Sequence, residues 1–176
     1  MTISDTFLIL ATLVSPFLAV YAQKQIENWR SHRAIQLGIF KSLMATRGAP
    51  TRGGQVSPAH AQALNMIDME FSDTKKNERV VRQIWKEYLN NLSLLPTDPE
   101  AQKAALPLWT ERNQDYLAKL LVEMGKCLKY EFDPVYIKNS VYIPQGHIND
   151  ENELRKLRAL TLELLSGKNS LRMQTS

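Results

Sequence analysis

The chain opens on an apolar stretch, Phe7 to Ala22 (FLILATLVSPFLAVYA), and then passes into a mixture of apolar and polar positions that keeps a helical period almost to its end. With Ile3 included the stretch reaches about 20 residues, and at roughly 1.5 Å rise per residue such a helix covers about the 30 Å of hydrocarbon in a bilayer. A transmembrane helix is therefore expected over 3–22. From Gln23 onward Ile26, Trp29, Leu37, Phe40 and Met44 fall at helical spacing, with only Gly38 intervening before Gly48. That pattern predicts that the same helix continues as a juxtamembrane amphipathic segment over 23–47. Residues 48–57, GAPTRGGQVS, carry Gly48, Pro50, Gly53 and Gly54 and read as a flexible loop.

Residues 58–168 read as a small helical domain, and the fold class is all-α. Ser57 is placed to cap a second helix with Pro58 at its first position, and Leu64, Ile67 and Phe71 form its apolar face. A third helix is expected from about Asn77 to Ser93, with Val81, Ile84, Trp85, Tyr88, Leu89 and Leu92 on one side. Pro96, Pro99 and Pro107 fence a connector. The fourth helix, Leu108 to Tyr130, should bury Leu117, Leu120, Leu121, Met124 and Leu128, and the fifth, Asn149 to Ser166, carries Leu154, Leu157, Thr161, Leu164 and Leu165 before Gly167 stops it. Between these last two lies PVYIKNSVYIPQGHI, residues 134–148, rich in Tyr, Ile and Val. Pro144 and Gly146 argue for a long ordered loop there, with one short hairpin at most. Residues 169–176 form a tail.

Charge gives the anchor a direction. No Lys or Arg precedes the apolar stretch, whereas Lys24, Arg30, Arg33, Lys41, Arg47 and Arg52 follow it against the single Glu27. From Gly53 onward basic and acidic side chains balance, so the whole net charge of +4 lies beside the anchor. The positive-inside rule then puts the N-terminus outside and the domain in the cytoplasm, as a single-pass protein of an inner membrane. A nucleic-acid partner is not expected, because its cations would form a patch on the folded domain. Two other readings compete with the anchor. Val20 and Ala22 suit a signal-peptide cleavage site, although a positive n-region is missing. A buried core helix is the other, since Pro16 interrupts the stretch, yet spanning helices tolerate such a kink. With about 150 residues after the anchor there is room for one modest core. The single Cys127 allows neither an intramolecular disulfide nor a Cys-based zinc site and reads as a packed thiol.

Chemistry-bearing motifs are scarce, with no Walker loop, dinucleotide fingerprint, HExxH, GxSxG or CxxC. The first candidate cluster is His60 with Asn65, Asp68 and Glu70 on the second helix. A helical wheel sets His60 over Leu64 and Ile67, so these polar groups do not converge, and Asp68 is expected to pair with Arg47. The second cluster is Tyr142, Gln145 and His147, followed by Asp150, Glu151 and Glu153. Acids at the start of a helix are favoured by its macrodipole without any metal, so no metal and no cofactor are expected.

The strings FKSLMATRG, SPAHAQALNMIDMEF, VYIPQGH and LLSGKNSL, in this order behind an N-terminal anchor, resemble a bacterial family catalogued as domain of unknown function 6680, over nearly the whole chain. The resemblance implies a fold and a membrane topology without a mechanism. By resemblance Arg47, Ser57, Pro58, His60, Asn65, Asp68, Tyr142, Pro144, Gln145, Gly146 and His147 fall on its recurring motifs. The expected function is a membrane-anchored interaction or effector protein that acts on the lipid bilayer side by homo-oligomerisation or by binding a protein partner. Ala11, Ser15 and Ala19, at four-residue spacing, form a candidate self-association stripe. The alternative is a small membrane-bound hydrolase or metal-dependent enzyme using His60, Asp68 and His147, for which His60 and His147 must share one cleft.

Overall fold

The computed structural model describes residues 3–48, 57–141 and 145–167, with side chains from Thr12 onward in the first stretch and from Glu153 onward in the last, Arg155 excepted. Within these residues the chain is all-helical: α1 (Ile3–Thr46), α2 (Pro58–Asn65), α3 (Ile67–Glu70), α4 (Lys76–Ser93), α5 (Pro99–Cys127), α6 (Pro134–Asn139) and α7 (Gln145–Leu165). It divides into two compact units, Met1–Ser140 and Val141–Ser176.

The core of the first unit forms where the C-terminal third of α1 meets α2, α3 and α5, and where α4 lies along α5 in the most extensive helix pairing. Ile39, Phe40 and Leu43 of α1, Leu64 and Ile67 of α2 and α3, Val81, Trp85 and Tyr88 of α4, and Leu117, Leu120, Leu121 and Met124 of α5 are all buried. Each set repeats at three or four residues, the spacing that gathers side chains on one helical face. Ser57 caps α2, its side chain accepting from the His60 amide at 3.2 Å with Pro58 at the first position, where a missing N–H removes nothing. Leu89, expected on the inner face of α4, is half exposed.

Two proline-based expectations are corrected. Pro99 does not fence a connector but opens α5, because Asp98 caps it by accepting from the Ala101 amide at 2.9 Å. Pro107 then lies inside α5 on an exposed stretch, where water can reach the carbonyl that its ring leaves unpaired. In the same way Asp133 caps α6 through the Val135 amide at 2.9 Å, with Pro134 at the first position. The Tyr- and Ile-rich segment is thus a short helix followed at Gln145 by the start of α7, not a long loop, and no strand is present among the described residues. Among the described residues six helices follow α1, where about four were expected.

The N-terminal expectation is also changed. Among the described residues no helix is long and apolar enough to cross a membrane. Of the small-residue stripe, Ser15 and Ala19 are exposed, and the Ala11 side chain lies outside the described residues. The 48–57 loop also falls outside them, apart from its ends at Gly48 and Ser57.

Candidate functional site

The polar residues of the second helix do not converge. His60, on the third residue of α2, is 1% exposed, and its Nδ1 lies 2.7 Å from the Thr46 hydroxyl in the last turn of α1. That hydroxyl donates to the Ser42 carbonyl at 2.7 Å, so its oxygen is left to accept, which assigns the ring to the Nδ1–H form. Nε2 is then a bare, buried acceptor with no hydrogen-bond partner among the described residues. Burial holds the His60 pKa below its ordinary value, so the ring is neutral at physiological pH. Chemically it is a strut between α1 and α2.

Asp68 pairs elsewhere than expected. Its carboxylate accepts from Arg82 Nε at 3.2 Å and from the Trp85 indole at 3.2 Å, both on α4. Arg82 also bonds Asp73, so one guanidinium links α4 to α3 and to the turn between them. The expected Arg47–Asp68 pair is corrected: Arg47 reaches three main-chain carbonyls instead, those of Met44, of Ile137 at 3.3 Å and of Ser140 at 2.8 Å. The last two belong to the C-terminal end of α6, whose carbonyls have no intrahelical partner and sit at the negative end of its dipole. Asn65 is exposed.

Sequence reasoning missed a second arginine with the same task. Arg33 donates to the Leu128 carbonyl, the C-cap of α5, at 2.6 Å, and stacks 5.7 Å from the Trp29 ring. Arg33 on α1 and Arg47, the residue after its end, are fourteen residues apart, close to four turns, and so they stand on one face. That spacing was the available signal. Between them Gln36 donates to the Glu70 carbonyl at 2.7 Å. On the far side of the unit the buried Asn91 donates to Asn113 at 2.7 Å, and the Trp109 indole donates to the Asn91 carbonyl at 2.9 Å.

Tyr142 and Pro144 lie outside the described residues, as do the side chains of Gln145 and His147, whose backbone opens α7 together with Gly146. The cleft that would join His60 to His147 is therefore not described. No group of three or more His, Cys, Asp or Glu side chains that could hold a metal occurs among the described residues. Cys127 borders a hollow of about 270 Å³ with Lys75, Lys76, Asn77 and Glu78, and burial pushes its thiol up to about 11, away from the thiolate a nucleophile needs. A groove of about 310 Å³ between α4 and α5 mixes Glu87 and Asp115 with Arg112 and Lys119. Asp115 there pairs with Lys138 at 2.6 Å.

The first unit thus defines a class: an all-helical protein in which the side chains of Arg47, His60 and Asp68 tie one helix to the next. The chain belongs to the family of unknown function (DUF6680), whose model matches residues 1–176. No curated protein and no solved structure matches it.

Proposed function

We propose that this protein is a membrane-tethered helical interaction protein, held on the cytoplasmic face of an inner membrane by the N-terminal part of α1 and acting by homo-oligomerisation or by binding a protein partner. One observation carries the reading: from Thr12 to Ser31 every side chain of α1 is exposed, including Leu13, Phe17, Leu18, Val20 and Tyr21, each more than 60%. A continuous apolar surface of this kind is rare on soluble monomers and marks a contact with lipid or protein. Lipid is favoured because the residues before Thr12 extend the same apolar run in sequence. Lys24 and Arg30, both exposed, follow it at the place where cations meet anionic headgroups, and Trp29, 56% exposed, suits the interface. Chemistry on His60 would need access to a ring nitrogen that the fold encloses.

Carbonate extraction of cell membranes tests this reading. The full chain is expected in the pellet, and a chain with Leu13, Phe17 and Leu18 all changed to Asn is expected in the supernatant. A reporter fused after Ser176 should be active only if it reads the cytoplasm. Extraction of the unaltered protein by carbonate, or a periplasmic reporter signal, would overturn the proposal.

A further inference from the structure

We infer that α7 pairs in parallel with the same helix of a second copy of this chain. Described by itself, α7 leaves Leu154 52%, Leu157 61%, Leu160 56%, Leu162 67% and Leu165 80% exposed, with Leu162 alone of these away from the seam and its flanks. Leu154, Leu157, Thr161 and Leu164 fall on a, d, a and d of two successive heptads, the seam that a two-stranded coil buries. Thr161 does not spoil that seam, because its hydroxyl donates to its own helix at the Leu157 carbonyl, 2.8 Å away, leaving the methyl to pack.

Charge selects the occupant and its direction. With Leu154 at a, Glu153 takes position g and Arg158 position e, both exposed. In a parallel pair each g residue meets the e residue of the following heptad on the partner, so Glu153 meets Arg158 twice, once on each side. Leu160 at g meets Leu165 at e by the same rule, which widens the apolar seam at its C-terminal end. An antiparallel pair sets g against g and e against e. With the same leucines in register Glu153 would then face Leu160 and Arg158 would face Leu165, so both charges would meet leucine. A parallel second copy is the arrangement that matches both the charged and the apolar flanks.

Two heptads are short, since coiled coils ordinarily sustain three or four, so the pair needs its copies held close. The inference therefore deepens the tethered reading and rests on it for local concentration, because two chains anchored in one bilayer by their N-termini meet as if the second step were intramolecular.

The test uses the full chain carrying Cys127→Ser, reconstituted in lipid vesicles and oxidised to form disulfides. Leu154→Cys, on the seam, is expected to give several-fold more covalent dimer than Leu162→Cys, which lies off it. Adding Glu153→Arg to the Leu154→Cys chain should remove most of that dimer, and adding Arg158→Glu as well should restore it. Equal cross-linking at 154 and 162, or a yield indifferent to the charge changes, overturns the pairing. So does a melting temperature that falls with Glu153→Arg while the dimer yield stays constant, since α7 would then be docked on its own chain. Flotation of the same vesicles is read separately. Protein that fails to float counts against the tether, and its cross-linking is then repeated in concentrated solution, where the same pattern supports the pairing and its absence sinks it.

Discussion

The two halves of α1 are built from similar residues and meet opposite fates. Leu13, Phe17 and Leu18 project into open space, whereas Ile39, Phe40 and Leu43 are at most 7% exposed. Both halves are helical, so burial does not decide the secondary structure. What differs is the company: α2, α3 and α5 pack against the C-terminal part, and there His32 and Arg33 make polar ties from α1 to the rest of the unit. A fully buried Leu or Phe contributes about 1.5–3 kcal/mol that the exposed half forgoes in water. The helix is a single rod with a packed end and an exposed end.

Substitutions at the two ends should separate cleanly. Leu43→Ala, at a position with 0% exposure, is expected to lower unfolding free energy by about 2–5 kcal/mol in a denaturant titration. Phe17→Ala, at 78% exposure, should leave that transition in place and loosen membrane association instead. Equal destabilisation by both would mean that the N-terminal half is packed, and the contrast would vanish.

Arg47→Met sharpens the same contrast at a polar site. It strips the Ile137 and Ser140 carbonyls of their donor and should reduce stability by about 1–3 kcal/mol, with faster hydrogen exchange confined to α6. Arg30→Met, upstream of the packed region, should change neither.

The smallest effect concerns pH. Burial depresses the folded-state pKa of His60 below its ordinary 6.5, so the unfolded chain takes up the proton first. Stability from the neutral ring is complete above that value and falls as pH drops through the folded pKa, by at most about 1.4 kcal/mol per pH unit. His60→Asn, whose amide can still donate to Thr46, should flatten the dependence between about pH 7 and pH 5 relative to the unaltered chain. An unchanged slope would mean that His60 titrates freely. Glu78, raised by burial but lowered more by Lys75 and the Ser72 amide, adds its own loss at more acidic pH.

Much of the first unit was legible because period and caps are local signals. Ser57 with Pro58, the Leu64–Ile67–Phe71 face and the Val81–Trp85–Tyr88 face all declare themselves within a dozen residues. Proline misled at Pro99, since the ring that breaks a helix interior also opens one, and only the preceding Asp98 tells these cases apart. The partner of Arg47 was illegible for a different reason. Helix-end carbonyls belong to every residue type, so nothing in the side-chain pattern announces that a guanidinium will seek α6 rather than Asp68. Asp68, freed from that pairing, found Arg82 and Trp85 one turn apart on a helix that sequence reasoning had placed but not oriented.

The unbroken run of α1 from the exposed end into the core makes the angular setting of the folded unit a matter of counting. Each residue of an α-helix advances the direction of its side chains by about 100°, and nothing between Gln23 and Ser31 interrupts the winding. One alanine inserted there should swing the entire first unit by that angle about the rod, turning a surface that faced a neighbour toward the opposite quarter. Seven inserted alanines come back to within about 20° of the starting direction and lift the unit by roughly 10 Å. A contact made beside the proposed tether should be sensitive to phase before it is sensitive to distance.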